Sequence, residues 1–239
     1  MSKRILAAVI FTALLAGQAT AAINTTDRGW YDSTGFHDPN NAIYISGGLD
    51  NEETDPVLFR SFFYFNLSGV TGTFSSATFE AFNPVDGYQS PDATETLRLF
   101  DVSTPLADLL SGGVNKVNAY NDLGSGTEFG FATVSAANNS SIVSFNLNPA
   151  GLAAVNAAVA GNGVFVIGGA LEAFSNGNTD EYVFGFSGFN DPADGDTRLI
   201  LEPDPGQVPE PGSLALLAGL SLLIGVRHIR LRRFRHNLL

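Results

Sequence analysis

Apolar and polar side chains alternate with a period of two through much of the middle of this chain. That repeat sends one side chain into a core and the next toward solvent, as along a half-buried β-strand. Ala77, Phe79 and Ala81 alternate with Thr78, Glu80 and Phe82, and Leu97 and Leu99 with Arg98 and Phe100. Val143, Phe145 and Leu147 alternate with Ser144 and Asn146, and Leu199 and Leu201 with Arg198 and Ile200. The segment Phe59–Leu67 is rich in aromatics on both parities, which predicts a central strand buried on most of both faces. Further strands are expected over 42–46, 128–134, 163–172 and 182–187. Two short helices interrupt them. Thr104-Pro105 opens one that runs through Leu110. Asn148-Pro149 opens a better one, with a capping side chain followed by proline at the first helical position, running to about Val159 and ended by Gly161 and Gly163. Nine or so sequential strands joined by Gly/Asn/Asp loops predict an all-β fold, an antiparallel β-sandwich.

The pattern changes at both ends. Lys3 and Arg4 precede an apolar run from Ile5 to about Leu15, followed by small residues in Ala19-Thr20-Ala21-Ala22. This is the order of a secretory signal peptide, residues 1–21, with Ala19 and Ala21 placed for signal peptidase and a mature N-terminus near Ala22 or Ile23. At the other end Pro203, Pro205, Pro209 and Pro211 make an extended linker over 203–211, since proline lacks the donor that strands and helices need. An apolar run from Leu214 to Val226 follows, then Arg227, Arg230, Arg232, Arg233 and Arg235. Arginines just beyond an apolar span place that flank in the cytoplasm, so 212–239 reads as a transmembrane helix with a basic tail. The run is short, and snorkelling arginines with Ile229 and Leu231 would extend it. Residues 22–202 are left as an ectodomain facing outward.

Charge sharpens this. Between Ala22 and Gly206 there are five basic and 23 acidic residues, a formal net charge of −18. Such a surface repels phosphate backbones, so no nucleic-acid partner is expected. Cysteine is absent, which removes disulfides, thiolate nucleophiles and cysteine metal sites. The domain must therefore rest on its core, and seventeen phenylalanines between Ala22 and Gly206 supply one.

Val208-Pro209-Glu210-Pro211, an apolar helix with small residues, and a terminal arginine cluster together resemble the PEP-CTERM sorting signal. The resemblance covers residues 208–239. The arginines are interleaved with His228, Ile229, Leu231 and Phe234 rather than compact, a departure from the family pattern. It implies recognition by an exosortase in the inner membrane of a Gram-negative bacterium, with Pro209, Glu210 and Pro211 as the sorting motif. Cleavage near the motif would then deliver the protein to the cell surface or the extracellular polysaccharide matrix. A second resemblance rests on pattern. The strand Phe59–Leu67, a loop with Gly69 and Gly72, the strand Ser76–Phe82 and a closing Thr197–Leu201 are similar to jelly-roll carbohydrate-binding modules.

Catalytic chemistry is sparse. His228 and His236 fall in the tail, leaving His37 on the outer side, in the loop Gly35–Pro39, where a loop histidine without catalytic role is expected. No Gly-x-Ser-x-Gly elbow is present, and no catalytic residue, cofactor or metal ligand is assigned. Asp191, Asp194 and Asp196 form a loop that could converge on calcium, as could Asp50–Asp55; solvated loops are the alternative. Trp30, Tyr31, Tyr88 and Tyr120 could stack on sugar rings, or Trp30 could plug one end of the sandwich. Two function classes follow: a non-catalytic surface protein associated with exopolysaccharide, or a carbohydrate-binding module or hydrolase acting on that polysaccharide.

Overall fold

The computed structural model describes residues 20–51, 54–174, 179–186 and 197–207. Residues Ala19–Asp204 form one compact unit, treated by itself here. Its strands are β1 Ala21–Asn24, β2 Asp27–Asp32, β3 Ser46–Asn51, β4 Thr54–Asn66, β5 Phe74–Asn83, β6 Glu95–Asp101, β7 Glu128–Val134, β8 Ser141–Asn146, β9 Val164–Leu171, β10 Glu181–Val183 and β11 Thr197–Pro203. Helices α1 Leu106–Leu110 and α2 Val117–Asp122 lie between β6 and β7, and α3 Pro149–Ala160 between β8 and β9. Every strand pair is antiparallel.

The strands form two sheets. One has the order β1-β11-β5-β8. The other has the order β10-β3-β4-β9-β6-β7, with β2 also paired to β4. The long β4 explains that branch. Its first half pairs with β3 from Thr54 to Phe59, and its second half pairs with β2 from Phe59 to Tyr64. The inner faces meet in an aromatic core. Phe63 of β4 sits 4.5 Å from Phe79 of β5, ring centre to ring centre, and Phe79 sits 5.5 Å from Phe145 of β8. Leu97, Leu99, Phe165, Ile167, Leu199 and Leu201 complete it, all buried. These are the residues of one parity in each strand, so the period-two pattern and the sandwich agree.

The larger sheet is also covered in part on its outer face. Tyr31 and Phe62 pack there with Leu109, Ala119, Tyr120 and Leu123 from α1, α2 and the turn that follows. Phe62 and Phe63 are consequently both fully buried, on opposite faces of one strand. The first helix begins as expected at Thr104-Pro105, where Asp122 accepts from the backbone of Ser103 (2.9 Å) and Thr104 (2.6 Å). The third helix is capped as expected: Asn148 accepts from the amides of Ala150 (2.9 Å) and Gly151 (3.0 Å). Its side chain Asn156 then grips β5, accepting from the amide of Phe74 and donating to its carbonyl at 2.9 and 3.0 Å.

Four expectations are corrected. There are eleven strands among the described residues rather than nine, because β1 and β2 precede the first one foreseen. The described residues hold three α-helices rather than the two expected within the domain, since α2 is added. Of the strand expected over 42–46, Ser46 alone is in one. The stretch before it is buried without a ladder: Asn41 accepts from the amide of Ile43 (3.1 Å), and the Ala42 carbonyl accepts from Arg28 Nε (3.1 Å). Finally, Pro203 closes β11 and Pro205–Gln207 makes a 3-10 turn, so the start of the proline-rich stretch is not uniformly extended. No helix among the described residues is long and apolar enough to cross a membrane. The expected transmembrane helix, 212–239, lies outside them.

Candidate functional site

Two glycines shape the outer face of the larger sheet. Gly48 of β3 lies beneath the ring of Phe174, where a Cβ would come within 2.3 Å of it. Gly168 of β9 lies beneath Leu123, whose carbonyl oxygen would be 2.6 Å from a Cβ. A side chain at either position would lift its cover off the sheet. Between the two covers a cavity of about 220 Å³ opens over Leu58, Arg60 and Ala170, with Tyr120 on one side, Phe174 on the other and Glu172 at its rim.

The polar groups of this cavity are only partly used. Arg60 stacks its guanidinium on Tyr120, 4.4 Å from the ring centre, and donates from Nη1 to the carbonyls of Tyr120 and Asn121, both at 3.0 Å. Gly124 makes room for that guanidinium, since a Cβ there would be 2.5 Å from its central carbon. Beside the cavity Arg98 bridges two acids, Glu128 at 2.6 Å and Glu172 at 2.7 Å. Those bonds, Glu172 first, raise the Arg98 pKa and hold its charge. Phe131 lies 5.3 Å from the Arg98 guanidinium and is 56% exposed. Arginine edges, a carboxylate and aromatic faces side by side are the groups that bond sugar hydroxyls and pack on sugar rings. A second cavity of about 360 Å³ between α3 and β9 is lined mainly by Val102, Ala154, Ala157, Val164 and Val166 and gathers little polar chemistry.

The aromatics singled out from sequence fare unevenly. Tyr120 borders the cavity, on α2 rather than in a polar loop, and is buried. Tyr31 is fully buried and donates to the Leu109 carbonyl at 2.7 Å, with burial, then Asp108, pushing its pKa up to about 12. Tyr88 donates to the Asp92 carbonyl at 2.7 Å. Trp30 packs between Phe36 and Phe59, over a small cluster of Ile43, Ile45 and Tyr182. Phe131 and Phe174 were not foreseen. Phe131 has the same parity as buried Phe129 and faces outward because the β6–β7 register shifts at Phe129, whereas Phe174 follows β9; both are placed by tertiary structure.

His37 lies in the loop between β2 and β3, bridged to Gly113, and its side chain is buried. It is 2% exposed, stacked 4.7 Å from Tyr31, and its Nδ1 lies 2.9 Å from the Trp30 carbonyl. A carbonyl can only accept, so Nδ1 carries the proton. Burial lowers the His37 pKa, against the raising effect of the Trp30 bond. Glu95 and Glu181 are a buried carboxylate pair at the starts of β6 and β10. Burial raises the Glu95 pKa, and Glu181 and Asp92 add to it against the bond from Ser90. Among the described residues no group of three or more His, Cys, Asp or Glu could hold a metal ion. Of the Asp50–Asp55 candidate, Glu52 and Glu53 lie outside the described residues, and the Asp50 amide donates to Asp180 at 2.9 Å. Asp191, Asp194 and Asp196, the sorting motif Pro209, Glu210 and Pro211, and the tail arginines lie outside the described residues. Comparison of the chain with protein-family models and with curated protein sequences gives no match.

Proposed function

We propose that this chain is an exported surface or matrix protein, sorted by an exosortase, non-catalytic, and associated with extracellular polysaccharide through a jelly-roll-like sandwich. The observation that carries the reading is the pairing of two ends in one sequence: a complete leader before Ala22, and Val208-Pro209-Glu210-Pro211 followed by an apolar run and five arginines. The acidic middle supports it, since a surface of −18 stays soluble, repels nucleic acid and tolerates neutral sugars. The cavity over Leu58, Arg60 and Ala170 supports the polysaccharide part, because it sets hydrogen-bonding edges beside aromatic faces. Burial of Glu95 and Glu181 weighs against a glycan hydrolase built on them, since a catalytic pair must meet its substrate.

Changing Pro209, Glu210 and Pro211 together to alanine tests the sorting part. The variant is expected to fold and cross the membrane, then remain uncleaved in the inner membrane. Removal of 212–239 is expected to release the protein, unprocessed, into the periplasm. A blot of fractionated cells reads both outcomes by size and location, and normal surface delivery of the alanine variant would refute the sorting motif.

A further inference from the structure

The leader peptidase site and the first strand are the same residues. β1 is an edge strand whose ladder partner is β11, the last strand of the domain. Ala21 pairs with Leu201 and Ala22 with Ile200, so the bond between them sits inside the ladder. Both ends of β1 are tied to the same partner. Thr20 donates to the Glu202 carboxylate at 2.9 and 3.0 Å. At the other end the Thr25 amide donates to the Thr197 carbonyl at 3.1 Å, the two threonine hydroxyls bond each other, and the buried Arg28 donates to the Thr197 hydroxyl at 3.1 Å. Ala21 and Ile23 pack against the sandwich core, while Ala22 is exposed.

That orientation conflicts with cleavage. A leader peptidase reads small side chains at the scissile bond by taking them into its own pockets. With β1 docked, the Ala21 side chain is packed on the core and unavailable, and a protease must wait for local opening. The order of the strands resolves the conflict. A chain that crosses a membrane N-terminus first delivers Ala21–Ala22 early and Thr197–Pro203 late, so β1 has no ladder until β11 arrives.

We propose that docking of β1 on β11 is a lock on processing: the Ala21–Ala22 peptide bond is open to hydrolysis only before the last strand enters its sheet. The reaction is ordinary peptide hydrolysis, in which water adds across the bond to leave a carboxylate on Ala21 and an amino group on Ala22. The freed segment Ala22–Asn24 then pairs with Arg198–Ile200. The lock deepens the export reading and rests on its leader assignment.

Three substrates separate the lock from that assignment: the folded full chain in detergent, the same chain carrying Ile23→Asp, and peptides of residues 1–30 with and without that change. Ile23→Asp puts a carboxylate against the core and undocks β1 while leaving β5, β8 and the larger sheet in place, which a parent-like near-ultraviolet spectrum verifies. With purified leader peptidase, both peptides and the Ile23→Asp chain are expected to be cut after Ala21, and the folded parent chain at least about tenfold more slowly. Equal rates for folded parent and peptide would overturn the lock. Failure to cut the peptides after Ala21 or Ala22 would overturn the leader assignment, and the lock with it.

Discussion

His37 shows how a single side chain ties packing to pH. Its ring is stacked on Tyr31, set edge-on to Phe62 at 5.4 Å, and bonded to the Trp30 carbonyl. Burial lowers its pKa from 6.5, with Lys116 adding to the shift and the Trp30 bond and Asp38 opposing it. The unfolded chain therefore takes up a proton at higher pH than the folded one. The contribution is present above about pH 6.5 and is lost as pH falls from there toward the folded value. Urea unfolding at pH 7.5 and pH 5 should show the parent losing more stability than His37→Gln across that interval. The sequence gives no view of this, because Gly35–Pro39 has the composition of a solvated loop and its burial comes from β2 and β4. At the cavity, Phe174→Ala removes an aromatic face without touching the core between the sheets. Affinity electrophoresis in the native polysaccharide should show weaker retention of that variant, with an unchanged melting temperature.

Elements with strong local signals were legible. β7 spans the residues over which a strand was expected, 128–134. The third helix begins where Asn148-Pro149 says it should. Replacing Asn148 by alanine leaves the amides of Ala150 and Gly151 without their acceptor and should cost about 1 kcal/mol in urea unfolding. Weak or long-range signals were not legible. α2 has six residues and no capping hydrogen bond from a side chain, and it is held by Ala119 and Tyr120 packing on Phe62. β2 carries an arginine on a buried position, which reads as surface until Arg28 is seen lying 4.5 Å over Tyr44 and donating to Ala42 and Thr197. β1 has four residues, with Asn24 in it, and exists because β11 offers an edge. A mature chain that starts at Thr26 instead of Ala22 should therefore melt at lower temperature, yet keep its β-type circular dichroism.

For the whole molecule, the antiparallel sandwich followed from sequential period-two strands joined by Gly/Asn/Asp loops, with phenylalanines enough to fill the core between two sheets. The branch of the larger sheet at β4, and the cavity on its outer face, did not follow. Both depend on which strands become neighbours, and local alternation carries no such information. The first and last strands of the sandwich are neighbours, so the chain enters β1 and leaves β11 at one end of the four-stranded sheet. The central claim, that both ends of the chain are removed during export and sorting, is tested most directly by the intact mass and terminal sequences of the protein recovered from the cell surface. The account predicts an N-terminus at Ala22 or Ile23 and a C-terminus near Pro209–Pro211, with all of 212–239 missing. A surface protein that still begins at Met1 or still ends in the arginine tail would contradict it.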